Sequence, residues 1–192
     1  PYTTLFRSWL DVTGGRQSST QSGSLTRQSE VEAITRMLKR MIQEGEDSER
    51  YTYAIITFYS AQRDRIRQAI RSDPFLSDWN RRNRKIMVGT VDAFQGMEAD
   101  IVFLSLVRSL PKYDRNKNLY GFVSNSNRQC VALSRAKRCL IIAGDKEMVS
   151  GARKQDAEAA MPAIAEIYQL CRKEAIADAC ILKNRDITGQ AL

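Results

Sequence analysis

Histidine is absent from the 192-residue sequence, and cysteine occurs only four times. Without histidine, Ser-His-Asp and Cys-His catalysis and every His-containing zinc site are excluded. The cysteines lie too far apart for a C-x-x-C zinc knuckle, and each lies among apolar residues. We therefore predict four reduced core thiols, Cys130, Cys139, Cys171 and Cys180.

The sequence also lacks a long apolar run. No stretch approaches the ~20 consecutive apolar residues that span a bilayer, and the start lacks the pattern of a signal peptide. We expect an intracellular protein, cytoplasmic or nuclear, without a membrane partner. Apolar residues make up 43% of the chain, enough for the core of one domain. The net charge of +8 favours a polyanionic partner without identifying it.

The first eight residues match, codon for codon, an in-frame translation of a widely used sequencing-adaptor oligonucleotide. They read Pro-Tyr-Thr-Thr-Leu-Phe-Arg-Ser. We therefore expect residues 1–8 to be an artefact and natural sequence to begin near Trp9. Residues 1–8 are excluded from the prediction of the fold.

Buried strands alternate with helices along the rest of the chain. Apolar runs predict strands at 53–58, 86–90, 101–107 and 139–143. Helical spacing predicts helices at about 30–45, 61–72, 127–136 and 155–179, the last interrupted or started near Pro162. Thr26 or Ser29 is the expected cap of the first helix, residues 78–85 a polar connection, and residues 110–119 an exposed loop. This pattern indicates an α/β fold with a mostly parallel sheet covered on both faces, whose ligands sit at the carboxyl ends of the strands.

Three groups of polar residues stand where such chemistry is expected. The first follows the strand at 53–58 and contains Tyr59, Gln62 and Arg63. A cation at a helix start is unfavourable with respect to the helix dipole, so Arg63 favours a nearby anion such as phosphate. A solvated Arg63 without a ligand is the alternative.

The second group fills the short connection between the strands at 86–90 and 101–107. It contains Thr90, Asp92, Gln95, Gly96, Glu98 and Asp100, more polar groups than a simple connection needs. Gly96 lets the backbone approach a ligand closely, while carboxylates and amides supply hydrogen bonds. A turn capped by Asp92 is the alternative.

The third group runs from Tyr120 to Val123 and then from Asn127 to Lys137. Arg128 and Arg135 are two helical turns apart, which predicts that they share a helix face. Because no obvious carboxylate lies between them, an anionic ligand is favoured. An ordinary amphipathic helix is the alternative.

In this order and spacing, the three groups resemble motifs IV, V and VI of Upf1-like superfamily 1 helicases (DNA2/NAM7 helicase-like C-terminal domain). Thr90 to Asp100 match T-V-D-x-F-Q-G-x-E-x-D, and Asn127 to Lys137 match N-R-x-x-V-A-L-[ST]-R-A-[RK]. The wording is most similar to NFX1-type zinc-finger-containing helicases. The chain departs from the commonest wording at Gln129-Cys130 and Lys137. The resemblance covers about Trp9 to Asp145.

The resemblance implies a RecA-like motor domain at 9–150, the second of two, followed by a helical extension at 151–192. In this family ATP with Mg²⁺ binds between the two domains, and single-stranded RNA or DNA crosses both. No G-x-x-x-x-G-K-[ST] motif is present in the sequence, so the Walker motifs are expected in an N-terminal RecA-like domain. The chain alone is therefore expected to be inactive. An RNA-directed helicase is expected; a Dna2-like or repair DNA helicase and a non-catalytic nucleic-acid-binding module are the alternatives.

The resemblance also assigns a role to each candidate site residue. Arg63 and Arg135 are expected to contact the γ-phosphate as arginine fingers. Gln62, Gln95, Gly96, Glu98 and Arg128 are expected on the nucleotide side. Tyr59, Ser60, Thr90, Val91 and Asp92 are expected on the nucleic-acid side. A metal ligand is not expected among these residues.

Overall fold

The structure, a computed structural model, describes residues 5–110, 119–172 and 179–183. The strands are β1 (Phe6–Asp11), β2 (Ser18–Ser19), β3 (Leu25–Thr26), β4 (Tyr53–Thr57), β5 (Ile86–Thr90), β6 (Ala99–Ser105), β7 (Ala136–Gly144) and β8 (Ala179–Lys183). The α-helices are α1 (Gln28–Glu44), α2 (Ser60–Ser72), α3 (Pro74–Asn83), α4 (Ser126–Leu133), α5 (Lys154–Ala160) and α6 (Pro162–Arg172). Short 3-10 helices include Val91–Phe94 and Gly121–Ser124.

Six strands form one sheet in the order β5-β4-β6-β7-β1-β8, and every neighbouring pair is parallel. The register sets Thr57 level with both Thr90 and Ser105, and Asp11 level with Gly144. The carboxyl ends of five strands therefore lie along one edge of the sheet. The predicted α/β fold with a parallel sheet is confirmed.

A separate apolar core covers each face of the sheet. Along β4, Tyr53 and Ile55 belong to one core and Ala54 and Ile56 to the other, as expected for a strand whose side chains alternate. Buried residues of α1, α2 and α3 pack on the first face, and those of α4, α5 and α6 on the second. Because both faces are covered, the strands are apolar throughout rather than alternating with polar residues.

The connection predicted at 78–85 is wrong, because most of it belongs to α3. Asp73 caps this helix by accepting a hydrogen bond from the Leu76 backbone N–H at 3.0 Å, and Pro74 occupies its first turn. Leu76 and Trp79 are its buried positions. The polar residues between them and the arginines after them hid the helical spacing of the two apolar residues.

Helix α1 begins without the predicted side-chain cap. Its N-cap is Arg27, and no side-chain cap bond is present. The Thr26 hydroxyl donates instead to Gln62 Oε1 at 2.9 Å, and the Ser29 hydroxyl donates to the Gly14 carbonyl at 3.0 Å. Both hydroxyls thus bond to neighbouring segments instead of capping the helix.

The segment after residue 150 packs on the same sheet. Tyr168 of α6 meets Trp9 of β1 edge to face, with ring centres 5.0 Å apart. The helix predicted up to Ala179 is wrong at its end, because Ala179–Lys183 is strand β8, parallel to β1. An apolar run this short shows no helical or strand periodicity, so only its pairing with β1 identifies it.

Three further predictions can be compared with the structure only for some of their residues. Residues 6–8 of the adaptor-like segment lie in β1, paired with β7, and residues 1–4 lie outside the described residues. The loop predicted at 110–119 also lies mostly outside them. Cys171 is buried, Cys139 is half-buried, but Cys130 is exposed on α4, so the prediction of a core thiol is wrong for Cys130.

Gly89 of β5 lies directly against the ring of Phe94 in the following turn. A Cβ atom at Gly89 would stand 2.7 Å from one ring carbon and 3.0 Å from the next. A side chain therefore cannot be added at this position unless Phe94 moves, and close approach rather than backbone conformation explains the glycine.

Candidate functional site

A groove of about 330 Å³ opens at the carboxyl edge of the sheet, where β4 and β5 end side by side. It is lined by Ser22, Gly23, Ser24, Phe58, Tyr59, Ser60, Thr90, Asp92 and Phe122. Four of the five residues predicted on the nucleic-acid side therefore line one groove. Val91 is the exception: it is 2% exposed in the apolar core, which leaves its side chain no surface for a ligand.

Arg128 lies at the same groove, on the first turns of α4. Its Nε and Nη2 atoms donate to the two carboxylate oxygens of Asp92 at 3.2 and 3.1 Å. Its guanidinium carbon stands 5.2 Å from the centre of the Phe122 ring. The structure thus groups Arg128 with the predicted nucleic-acid residues rather than with Arg135.

Arg135 does not share a helix face with Arg128, because α4 ends at Leu133 and Arg135 lies in the turn before β7. Its Nε atom donates to the Val131 carbonyl at 2.8 Å, which satisfies an acceptor at the helix end. Nη1 donates to the Met97 carbonyl at 3.2 Å and Nη2 to the Ser134 hydroxyl at 2.7 Å. A guanidinium has five N–H groups, so these described bonds fix the side chain while using three of them.

Around Arg135, charged residues gather at the amino edge of the sheet, where β6 and β7 begin. We call Met97, Glu98, Arg135 and Lys137 the amino-edge cluster. Lys137 Nζ lies 3.4 Å from Glu98 Oε2, and both side chains are about half exposed. Gln95 and Gly96 are exposed in the turn that leads to this cluster. Gly96 has φ +81, a backbone conformation that favours glycine.

The structure does not bring the two predicted arginine fingers together. Arg63 lies in the first turn of α2, beside the carboxyl edge, whereas Arg135 is at the amino edge. Helices α2 and α4 also pack on opposite faces of the sheet. The seven residues of β6 separate the two edges by ~20 Å. Contact of both arginines with one γ-phosphate therefore stays a prediction.

Arg63 already has a carboxylate partner. Its Nε and Nη2 atoms bond to both oxygens of Asp64 at 2.8 and 3.0 Å. This hydrogen-bonded pair raises the pKa of Arg63 and lowers that of Asp64. The anion that the sequence favoured beside Arg63 is thus present in the chain itself.

Behind the carboxyl edge lies a polar network that sequence reasoning missed. Arg27 and Glu30 are both 0% exposed and bond to each other at 3.2 Å. Arg27 donates to the carbonyls of Val12, Gly14 and Gly15 and lies 3.6 Å from the Asp145 carboxylate. An acidic residue in the first turn of a helix is usually exposed, so the burial of Glu30 could not be predicted from its position.

Glu30 extends the network to the loop after β6. It accepts from the Ser105 hydroxyl at 2.6 Å and from the Val107 backbone N–H at 2.9 and 3.1 Å. Burial raises the pKa of Glu30, although Arg27 and these hydrogen bonds oppose the shift. Val107 has φ +68, an uncommon conformation for a β-branched residue. The carboxylate thus holds a strained peptide at the edge of the sheet.

Gln62 joins the network from α2. It is 0% exposed, accepts from the Arg27 backbone N–H at 2.9 Å, and donates to the Ser105 hydroxyl at 3.0 Å. A nucleotide could reach the Gln62 amide only if these internal bonds broke. In this structure the residue positions the loops after β4 and β6 relative to each other.

Asp100, from the second polar group, also has an internal role. Its carboxylate accepts from the backbone N–H and the hydroxyl of Thr52 at 2.9 and 2.7 Å. Arg138 lies 3.4 Å away. These contacts join the beginnings of β4, β6 and β7.

In the described part of the chain, no group of three or more cysteine or acidic side chains is placed to hold a metal ion. None of the described helices has the length and apolar character needed to cross a bilayer.

Comparison with known proteins gives matches over most of the chain. A protein-family model described as an AAA domain matches residues 3–147. The chain is 36% identical over 121 residues to the "Helicase required for RNAi-mediated heterochromatin assembly 1" of Schizosaccharomyces pombe, covering 63% of this chain and 11% of that protein. It is 32% identical over 140 residues to the "Regulator of nonsense transcripts 1 homolog" of Drosophila melanogaster, covering 72% and 11%. It is 36% identical over 96 residues to the human "NFX1-type zinc finger-containing protein 1", covering 50% and 4%. The chain thus spans a small part of the length of these relatives.

Proposed function

The chain belongs to the Upf1-like superfamily 1 helicases, and on this premise we propose that it is the C-terminal motor half of an ATP-dependent nucleic-acid helicase. In this proposal residues 9–150 supply the second RecA-like domain, and later residues complete its sheet. ATP and Mg²⁺ are held mainly by the Walker motifs of an N-terminal RecA-like domain, the partner of this one.

One observation carries the proposal: two groups of predicted site residues gather on separate surfaces, although Gln62, Arg63 and Arg128 of the predicted nucleotide side lie outside the amino-edge cluster. The groove at the carboxyl edge collects Tyr59, Ser60, Thr90 and Asp92, all predicted on the nucleic-acid side. The amino-edge cluster collects Glu98 and Arg135, both predicted on the nucleotide side. A helicase motor needs two such surfaces, because nucleotide and nucleic acid bind at the same time.

At the amino-edge cluster, Arg135 is the residue proposed to act on the nucleotide. Its fixed guanidinium fits a phosphate, since backbone and hydroxyl oxygens orient it and N–H groups remain beyond those three bonds. Positive charge at this position would stabilise the charge that develops on the phosphoryl group during transfer. The position of Arg63 at the other edge gives no support to a second finger on the same phosphate.

At the groove, hydroxyl groups and Arg128 are proposed to contact a single strand. Ser60 and Thr90 offer hydroxyl donors to phosphate oxygens, and such contacts bind strands with little sequence preference. The names of two relatives refer to RNAi and to transcripts, which supports RNA as the substrate. Contacts to phosphate alone do not distinguish RNA from DNA, because that distinction depends on the 2′-hydroxyl.

The test is an ATPase assay on the complete protein, with Arg135→Ala compared with the unmodified protein. We expect hydrolysis that single-stranded RNA stimulates, and a rate lowered by on the order of 10³-fold in the variant. Arg40→Ala, at an exposed position of α1, is the matched control and should keep the rate. Stimulation by DNA alone would indicate a DNA helicase. Equal rates in Arg135→Ala and the unmodified protein would contradict the finger, and binding without hydrolysis would indicate a non-catalytic module.

A further inference from the structure

We propose that the exposed ring of Phe122 is a stacking platform for one nucleobase of a strand in the groove. The proposal rests on the proposed function of that groove and adds a contact to a base face where the sequence predicted contacts to the backbone. Three observations support it: the Phe122 ring is exposed, Tyr59 holds the ring in place, and the Arg128 guanidinium lies beside it.

The exposed surface of the Phe122 ring is available for a binding partner. Its side chain is 56% exposed, and among the described residues only Met97 is another large hydrophobic side chain exposed to a similar degree. Leaving an aromatic ring in water is unfavourable, and covering its surface releases that free energy. Phe122 lines the groove together with Tyr59, Thr90 and Asp92, so a strand that enters the groove meets this ring.

The ring is held in place before any ligand arrives. It belongs to the 3-10 turn Gly121–Ser124, which Val123 anchors in the core at 1% exposure. The Tyr59 ring supports it from the side, with ring centres 5.7 Å apart and planes tilted by 44°. Gly121, at φ +52, permits this close approach, because a Cβ atom there would stand 2.9 Å from the Tyr59 hydroxyl oxygen. A ring fixed in this way loses little conformational entropy on binding.

Arg128 adds a positive charge directly against the platform. Its guanidinium carbon is 5.2 Å from the ring centre, within the range of a cation–π contact. The two bonds to Asp92 keep the guanidinium in this position. A base stacked on Phe122 would bring its own phosphate close to this cation, so the ring and the charge fit one nucleotide.

The surroundings of Phe122 favour a nucleobase over a protein partner. Six of the nine residues that line the groove are serine, threonine, aspartate or glycine, and of its three aromatic residues Phe58 and Tyr59 are buried, so Phe122 alone exposes its ring. The centre of a protein interface combines several exposed apolar or aromatic side chains, whereas single-strand sites combine stacking rings with polar and cationic groups. Every base has an aromatic face, so we expect this platform to tolerate any sequence.

The experiment compares two 12-nucleotide single-stranded RNAs with the same backbone, one of mixed sequence and one in which abasic residues replace the central nucleotides. Binding is measured by fluorescence anisotropy for the complete protein with the unmodified chain, with Phe122→Ala and with Phe122→Tyr. We expect Phe122→Ala to weaken binding of the mixed RNA by about tenfold and to leave binding of the abasic RNA unchanged. Phe122→Tyr, which keeps a ring, should restore binding of the mixed RNA.

A second readout separates stacking from a change in fold. A 2-aminopurine base at the centre of the RNA should lose fluorescence on binding the unmodified chain and keep it with Phe122→Ala. Equal binding of the mixed RNA by both proteins, or equal weakening for both RNAs, would overturn the platform while leaving the proposed groove intact. If the unmodified chain binds neither RNA, the proposed function of the groove fails and the platform fails with it.

Discussion

Asp100 combines burial with strong hydrogen bonding at the amino edge of the sheet. Burial is the largest influence and raises the pKa of its carboxyl group, but the two hydrogen bonds from Thr52 and the charges of Arg138 and Lys137 outweigh it. The net result is a pKa below the ordinary value of 3.8. The ionised carboxylate is thus the form that the folded state stabilises.

From this shift we predict an acid-dependent loss of stability. Because the folded state lowers the pKa, the contribution of Asp100 is complete above the ordinary pKa and is lost as pH falls through the lowered value. Asp100→Asn should lower the free energy of unfolding by about 1 kcal/mol at pH 7 and by less near pH 3, which lies below the ordinary pKa of 3.8. Urea unfolding followed by circular dichroism at both pH values measures this difference.

The control for Asp100 is Asp47→Asn at an exposed turn, where the partner Arg50 is also exposed. Exposed ion pairs contribute little, so the control should change the free energy of unfolding only slightly at either pH. A deficit in Asp100→Asn that is equally large at pH 3 would show that the carboxylate charge is not what stabilises this site.

Individual site residues could be predicted from the sequence only where the strand or helix that carries them could also be predicted. Thr90 ends a strand that the sequence predicted at its observed bounds, Asp92 follows it closely, and both line the groove. Val91 between them begins the 3-10 helix Val91–Phe94 and is buried in the core, which the strand pattern did not reveal. Phe122 could have been found only by its exposure, which depends on the tertiary fold.

At the scale of elements, the beginning of α1 depends on the buried pair Arg27 and Glu30. Removing one partner of such a pair leaves the other charge buried without compensation. We predict that Arg27→Ala lowers the free energy of unfolding by about 3 kcal/mol or more, because Glu30 and Asp145 both lose their cation. Urea unfolding at pH 7 provides the measurement.

The matched control for Arg27 is Arg40→Ala on the same helix. Arg40 bonds to Glu44 at an exposed position, where an ion pair adds little stability. We expect a small change for Arg40→Ala and a large one for Arg27→Ala. Similar small changes in both variants would mean that the network does not stabilise α1 and the loops around it.

Elements with a clear apolar pattern were predicted, and those defined by tertiary contacts were not. The strands at 53–58 and 86–90 are confirmed within one residue, because both faces of the sheet are buried and the runs are apolar. Helix α3 was missed because it has only two buried residues and arginines follow them. Strand β8 was missed because its identity as a strand comes from pairing with β1.

At the scale of the whole molecule, positive charge is concentrated on one side. Between residues 60 and 85 the chain has eight arginine or lysine and three aspartate residues, which accounts for five of its eight net positive charges. Most of these arginines are exposed on α2, α3 and the turn that follows, next to the edge strand β5. Such a field attracts a polyanion over distances longer than a hydrogen bond.

We predict that this charged side speeds association without contacting the bound strand. Arg81→Gln combined with Arg82→Gln should lower the association rate of single-stranded RNA by about two- to fivefold and leave the dissociation rate unchanged. Stopped-flow anisotropy at low salt measures both rates. In 0.5 M salt the difference should disappear, because screening removes the long-range field. A faster dissociation rate would instead place the strand directly on these arginines.

The contact between Gly89 and Phe94 limits which substitutions this domain can accept during evolution. The ring leaves no room for a Cβ atom at residue 89, and the ring itself is buried at 2% exposure. A first substitution at Gly89 would distort the turn that carries Asp92 and the path to the amino-edge cluster, whereas a first substitution at Phe94 would leave a cavity. The two positions can therefore diverge only together, and lineages with a larger residue at 89 should carry a smaller one at 94.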